Sequence, residues 1–309
     1  MSVPVTLCEC FARDGLQHEP TFVPTATKIA LIDAFSAAGF PRIEATSYSH
    51  PVQVPAFADA ADVLAGIRRH PGVFYKATCP NLRAVERARG DLAAGRGANE
   101  LSLLISASEG HSGRNLRSTR AEQWDKVSAM AAAARGHARL VGVISVAFGC
   151  PIDGAVDPGL VEADAGRFAD LGVEVVTVGD TIGIATPRQV KAMFRRLRSA
   201  MPHIAFAAHF HDTRGAGIAN CVAALDAGCD HFDSAFGGVG GHPQQIQYGE
   251  GQTGNVATED LVDLLEASGV ATGIDIDRMM AASRLCESAL GRPLHSMVAR
   301  AGARSFSYA

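Results

Sequence analysis

Long apolar runs are missing from this 309-residue chain, and with them any membrane-spanning helix, which needs about 20 consecutive apolar residues. The N-terminal MSVPVTLCECFARDG lacks the basic flank, apolar stretch and small-residue cleavage site of a secretory signal. A cytoplasmic location without membrane contact is therefore expected. Cysteine is sparse and unpatterned: seven thiols at 8, 10, 79, 150, 221, 229 and 286 form neither a CxxC zinc signature nor a disulfide framework. Reduced, buried thiols follow. Positive charge in excess is also absent, and a formal net charge of −4 excludes a polyanion-binding surface as the main purpose of the molecule. Nucleic acid is not an expected partner. No low-complexity linker divides the chain.

What is present is a repeated alternation. Apolar β-type runs near 3–10, 41–45, 72–78, 99–106, 140–148, 174–178, 204–210 and 231–236 alternate with helical patterns near 25–38, 55–69, 81–90, 119–136, 158–171, 187–200, 216–227 and 258–268. Such alternation calls for a parallel sheet with helical crossovers. Eight units in a row favour closure into an α/β (β/α)8 TIM barrel over an open doubly wound sheet. Thr186-Pro187 reads as a helix start, and glycines 39, 172, 228 and 269 read as helix stops. Two further helical patterns, Asp277–Leu290 and Arg292–Ala303, lie beyond the repeat. The expected organisation is a catalytic barrel over 1–270 and a C-terminal helical extension over 271–309, packed on the barrel or serving a subunit contact.

Chemistry in such barrels collects at the C-terminal ends of the strands. Those ends here carry Arg13-Asp14-Gly15, Glu44-Ala45-Thr46-Ser47, Ser106 to Glu109, Gly149 to Gly154, Gly179 to Gly183, His209-Phe210-His211-Asp212 and a glycine-rich stretch from Gly237. His209 and His211, two apart on a strand, point to one face and offer two imidazoles to one ion. A lone strand histidine is ordinarily a satisfied core residue; the pair beside an aspartate favours a metal. Asp14 is either a turn residue or a partner of Arg13, and Asp212 either caps the next helix or orients an imidazole. Cys150 lacks a neighbouring base and is a poor nucleophile candidate. Two imidazoles with oxygen donors suit Mg²⁺ or Mn²⁺ better than zinc. A Lewis acid so held can bind a hydroxyl and a carbonyl of one substrate, and Arg13 can stand opposite a developing oxyanion. Aldol- or Claisen-type cleavage is the chemistry this favours.

Six motifs in order, RDGLQ at 13–17, IEATS at 43–47, GCPIDG at 149–154, GDTIG at 179–183, HFHDT at 209–213 and GNVATEDLV at 254–262, resemble the 3-hydroxy-3-methylglutaryl-CoA lyase family of divalent-metal barrel lyases. The resemblance implies Asp14, His209, His211 and Asn255 as metal ligands, Arg13 at the enolate, and Glu44, Asp180 and Glu259 as polar partners in the site. It also implies that SASEGHSGRN at 106–115 meets an acyl-CoA, with Ser108, Arg114 and Asn115 as its contacts; Arg117 and Arg120 either assist with phosphates or form an exposed solvated face. One departure stands out. Where the family carries a cysteine that serves in proton transfer, this chain reads Gly240-Gly241-His242-Pro243, and QQIQYGEGQT lengthens the interval that follows. His242 either replaces the thiol, as a group that titrates near neutral pH, or is a bystander.

The expected function is a metal-dependent carbon-carbon lyase that cleaves a 3-hydroxyacyl-CoA to a shorter acyl-CoA and a ketone or oxo acid, in a homo-oligomer, expected to be a dimer. A citramalyl-CoA-type lyase and an aldolase or Claisen synthase are the enzymatic alternatives. A catalytically silent ligand-binding barrel is the non-enzymatic one. The acyl group, reaction direction and native metal are not readable from the sequence.

Overall fold

The computed structural model describes residues 4–241 and 254–304. Eight strands, β1 (Thr6–Glu9), β2 (Arg42–Ser47), β3 (Phe74–Thr78), β4 (Glu100–Ser106), β5 (Arg139–Ser145), β6 (Val175–Asp180), β7 (Ala205–Phe210) and β8 (His231–Ser234), close into a barrel in chain order. All neighbours are parallel, and β8 seals the barrel against β1 with His231 opposite Thr6. The (β/α)8 expectation is met.

The surrounding helices are α1 (Thr25–Ala37), α2 (Ala60–Gly66), α3 (Leu82–Ala93), the single turn α4 (Glu109–His111), α5 (Arg120–Ala134), α6 (Pro158–Asp170), α7 (Pro187–Ala200), α8 (Gly217–Asp226) and α9 (Thr258–Ala267). Thr186 caps α7 through a reciprocal pair of hydrogen bonds with Gln189, and Pro187 takes the first helical position, where a missing N–H costs nothing. The four stop glycines all adopt left-handed backbone. Apolar side chains fill the layer between strands and helices; Phe35, Phe40 and Phe236 form one aromatic knot there.

Several boundaries differ from expectation; the helix expected over 55–69, for instance, forms only as a 3-10 turn, Pro55–Phe57, followed by α2. β5 ends at Ser145 rather than reaching 148, because Val146 turns into the left-handed region at φ 53°. Beyond α9, α10 (Ile276–Leu290) matches its pattern, but the helix expected over Arg292–Ala303 shrinks to α11 (Met297–Ala301). Pro293 cannot donate within a helix, and the helix starts where Ser296 caps it and Asp260 accepts from Val298 N–H at 2.8 Å.

The barrel interior is unusually polar. Contacts between strands that are not neighbours run through it: Arg42 of β2 makes a bidentate pair with Glu100 of β4, with Nη2 to Oε1 at 2.7 Å, and Lys76 of β3 reaches Asp233 of β8 at 3.8 Å. An irregularity in the β2–β3 pairing between Glu44 and Thr46 adds one residue just below the mouth, a common device for re-aiming a side chain.

Candidate active site at the barrel mouth

The first polar loop is a π-helical turn, Phe11–Gly15, that leaves β1. It aims Arg13 across the mouth. Arg13 Nη1 donates to Asp14 Oδ1 at 2.8 Å and Nη2 to Glu44 Oε2 at 2.8 Å, while the other Glu44 oxygen accepts from Thr78 Oγ1 at 2.8 Å. Burial is the largest influence and opposes ionisation of these carboxylates, but the guanidinium together with their other partners outweighs it, so Asp14 and Glu44 both sit below the usual carboxylate range. Lys76 lowers Glu44 further, and the two imidazoles lower Asp14.

His209 and His211 close the other side. His211 Nδ1 lies 2.8 Å from the Thr181 carbonyl oxygen, which can only accept, so Nδ1 carries the proton. His209 Nδ1 faces Asp233 Oδ2 at 3.4 Å, and Asp233 is held ionised, against its burial, by Lys76, His209 and Arg42. Each ring therefore turns its Nε2 inward, and the two Nε2 atoms are 3.1 Å apart. Ligand atoms of Asp14, His209 and His211 all lie within 4.8 Å of one another.

Asn255 completes the corner. It pairs with His211 in an isolated antiparallel bridge, and its Nδ2 donates to Asp14 Oδ2 at 2.6 Å and to Val239 O at 2.9 Å. Those bonds settle the amide's orientation and leave Oδ1 buried with no hydrogen-bond partner among the described residues. A buried amide oxygen beside a carboxylate and two inward imidazole nitrogens fits a divalent ion with mixed nitrogen and oxygen donors. The glycine loop packs directly on this corner: a Cβ on Gly240 would meet Asp14 O at 2.4 Å, and one on Gly241 would lie 3.0 Å from His211 Nε2. His242, the next residue, lies outside the described residues.

Thus Arg13, Asp14, Glu44, His209, His211 and Asn255 are brought together. The remaining sequence candidates are placed differently. Asp180 is buried, and its two oxygens accept from Ile184 and Ala185 N–H at 3.0 and 2.9 Å, which holds the loop after β6. Glu259 is buried behind the glycine loop, accepting from Gly237 N–H at 2.9 Å and from Ser283 of α10; burial raises its pKa. Ser108 caps α4 and donates to Asp153 Oδ2 at 2.6 Å, while Cys150 Sγ lies 2.9 Å from the same hydroxyl. Arg114 and Asn115 lie in a short π-helical turn, Ser112–Leu116, and are exposed, as is Arg117. Arg120 is a structural residue, bound to both oxygens of Asp164 at 2.6 Å and to Ser106 O. Asp212 caps α8 by accepting from Gly217 N–H at 2.6 Å.

Two participants were not visible in the motifs. Asp233 and Lys76 could have been found from strand periodicity, which sends both into the barrel. Thr181 lies in the GDTIG motif, but it meets His211 through its backbone carbonyl, for which no side-chain signal exists.

A protein-family model described as HMGL-like matches residues 4–286. The chain is 39% identical over 298 residues, 96% of its length and 89% of the relative's, to the mitochondrial hydroxymethylglutaryl-CoA lyase of Rattus norvegicus. It is 39% identical to a Pseudomonas aeruginosa enzyme named 3-hydroxy-3-isohexenylglutaryl-CoA/hydroxy-methylglutaryl-CoA lyase, covering 97% of this chain and 98% of that one. Among solved structures, an HMG-CoA lyase from Acinetobacter baumannii in complex with coenzyme A and 3-methylmalate superposes with a TM-score of 0.91 at 36% identity, covering 100% of this chain and 99% of that one.

Proposed function

The chain belongs to the HMGL-like family, and from that premise we propose that it is a divalent-metal-dependent lyase cleaving 3-hydroxy-3-methylglutaryl-CoA or a similarly branched 3-hydroxyacyl-CoA. The products are a shorter acyl-CoA and a ketone or oxo acid. The observation that carries the reading is the pair of inward Nε2 atoms 3.1 Å apart, flanked by Asp14 and the buried Asn255 oxygen.

In this reading Asp14, His209, His211 and Asn255 would hold Mg²⁺ or Mn²⁺, which would supply Lewis acidity to the substrate's oxygens. Asp233 and the Thr181 carbonyl keep both imidazoles in the tautomer that presents Nε2. Arg13, braced by Asp14 and Glu44, offers a permanent positive charge to the thioester oxygen as the carbon-carbon electron pair moves onto it. Protonation of that enolate falls to the glycine loop, with His242 as its acid. Asp180 and Glu259 act by holding the β6 and β8 loops, and Ser108, Arg114 and Asn115 face the CoA. The Pseudomonas relative's name covers two branched substrates, which supports a pocket tolerant of the branch. The barrel and its extension act as one catalytic unit in the cytoplasm, which is supported by seven buried cysteines without a disulfide. Exposed Leu285 and Met297 on the extension support a homodimer.

The test is release of acetyl-CoA from a panel of 3-hydroxyacyl-CoA thioesters with Mg²⁺ and with Mn²⁺. Metal-dependent release from at least one branched thioester is expected. Absence of turnover across the panel refutes the lyase assignment.

A further inference from the structure

Two non-glycine residues among those described, Arg117 and Val146, take positive φ, and Val146 is the buried one. A buried, β-branched residue at φ 53° occupies a region such side chains rarely adopt, and strain of this kind persists only where the surroundings hold it. Its N–H donates to Thr181 Oγ1 at 2.8 Å, and the next N–H, of Ala147, donates to Gly179 O at 2.9 Å. The β6 exit thus holds the β5 exit.

Thr181 also faces the other way. Its carbonyl oxygen is the acceptor that sets the His211 ring at 2.8 Å. Downstream of Val146 the chain closes on itself through the Cys150 and Gly154 backbones at 2.7 and 2.9 Å. That closed turn then holds the segment after β4. Cys150 Sγ accepts from Ile152 and Asp153 N–H, each at 3.3 Å, and Asp153 Oδ2 accepts from Ser108 Oγ at 2.6 Å and from Gly110 N–H at 2.7 Å. One residue therefore stands between the imidazole corner and the turn that clamps Ser108 and Gly110.

We propose that Thr181 is a positioning residue that couples the two halves of the mouth: its carbonyl orients His211, while its hydroxyl keeps Val146 left-handed so that residues 147–154 hold the acyl-CoA-facing segment in register with the metal corner. The kinetic consequence rests on the lyase reading given above; the structural consequence does not.

Thr181→Val keeps the shape and the carbonyl and removes only the hydroxyl. By mass spectrometry, hydrogen exchange at the Val146 amide should accelerate about tenfold, as expected for one lost hydrogen bond plus released strain. With 3-hydroxy-3-methylglutaryl-CoA, KM should rise about tenfold while kcat and Mn²⁺ affinity stay within about twofold. Thr181→Ser, which restores the acceptor, should behave as the native protein. The double variant Thr181→Val/Val146→Gly should recover KM to within about threefold, since glycine adopts positive φ without cost. Native exchange at Val146 in Thr181→Val, or a KM rise that Val146→Gly does not reverse, overturns the proposal. Thr181→Ala is read by the same criteria should the valine variant not fold. A wild type that turns over no hydroxyacyl-CoA sinks the lyase reading instead, and the exchange comparison still decides the coupling.

Discussion

Around the imidazole corner, side chains from the β1 loop, β7 and the segment before α9 converge, with two Nε2 atoms turned inward and an Asn255 Oδ1 that has no hydrogen-bond partner among the described residues. Across the mouth, the segment from Ser106 to Arg120 is tied down by bonds within itself and to the β5 loop and α6. Ser108 is bonded to Asp153, Ser106 to His111 at 2.9 Å, and Arg120 to Asp164. The contrast separates two kinds of polar cluster. A cluster bonded throughout to protein partners builds a scaffold; one whose nitrogen and oxygen donors converge on a single point forms a donor set.

Mutation should divide the two sides by size of effect. His209→Ala and His211→Ala should each abolish metal binding and lower turnover on the order of 10³-fold, the several kcal/mol a Lewis acid supplies; metal analysis and steady-state kinetics read both. Arg13→Met should cost about 10²- to 10³-fold in kcat, as loss of one preorganised donor does, with metal content retained. Asp233→Asn keeps the shape but no longer favours the Nδ1–H tautomer of His209, and should weaken Mn²⁺ about 10- to 100-fold by titration calorimetry. On the scaffold side, Ser108→Ala should cost about 1 kcal/mol of stability in urea unfolding, the usual value of a helix cap, with the metal site intact. Ser108→Ala that empties the site would erase the distinction.

A smaller effect concerns pH. Glu9 lies under both sides of the glycine loop, its oxygens accepting from Phe11 N–H at 2.9 Å, Phe236 N–H at 3.1 Å and Thr258 Oγ1 at 2.6 Å. Burial pushes its pKa up to about 8. The folded state then keeps a proton that the unfolded state releases near pH 4.3, so this contribution is full below that pH and declines as pH rises toward 8. Glu9→Gln should flatten the fall in unfolding free energy between pH 5 and pH 8. Asp14, Glu44 and Asp233 carry the opposite sign: their folded pKa values are depressed, so their stabilisation is present above the ordinary carboxylate pKa and is lost as pH falls through the depressed values.

The sequence carried the fold well because strand and helix periodicities repeat eight times, and each repeat can be checked against the next. It carried the polar cluster at the mouth through side chains at strand ends and in the loops that follow them. It failed where position depends on backbone: β5 stops at Val146 because of a left-handed turn, and Thr181 contributes a carbonyl. Glu259 looked like a site residue from its motif, yet the structure buries it against Gly237 and Ser283, because the motif belongs to the loop's foundation as much as to its surface. Arg292–Ala303 read as a helix because periodicity does not register that Pro293 and Gly302 interrupt it.

The most direct test of the metal corner is a Mn²⁺ titration of the wild-type chain followed by electron paramagnetic resonance, beside His209→Ala and His211→Ala. One tightly bound ion per chain, lost in both variants, is the predicted result. A wild type that binds none, or a variant that keeps its ion, contradicts the account.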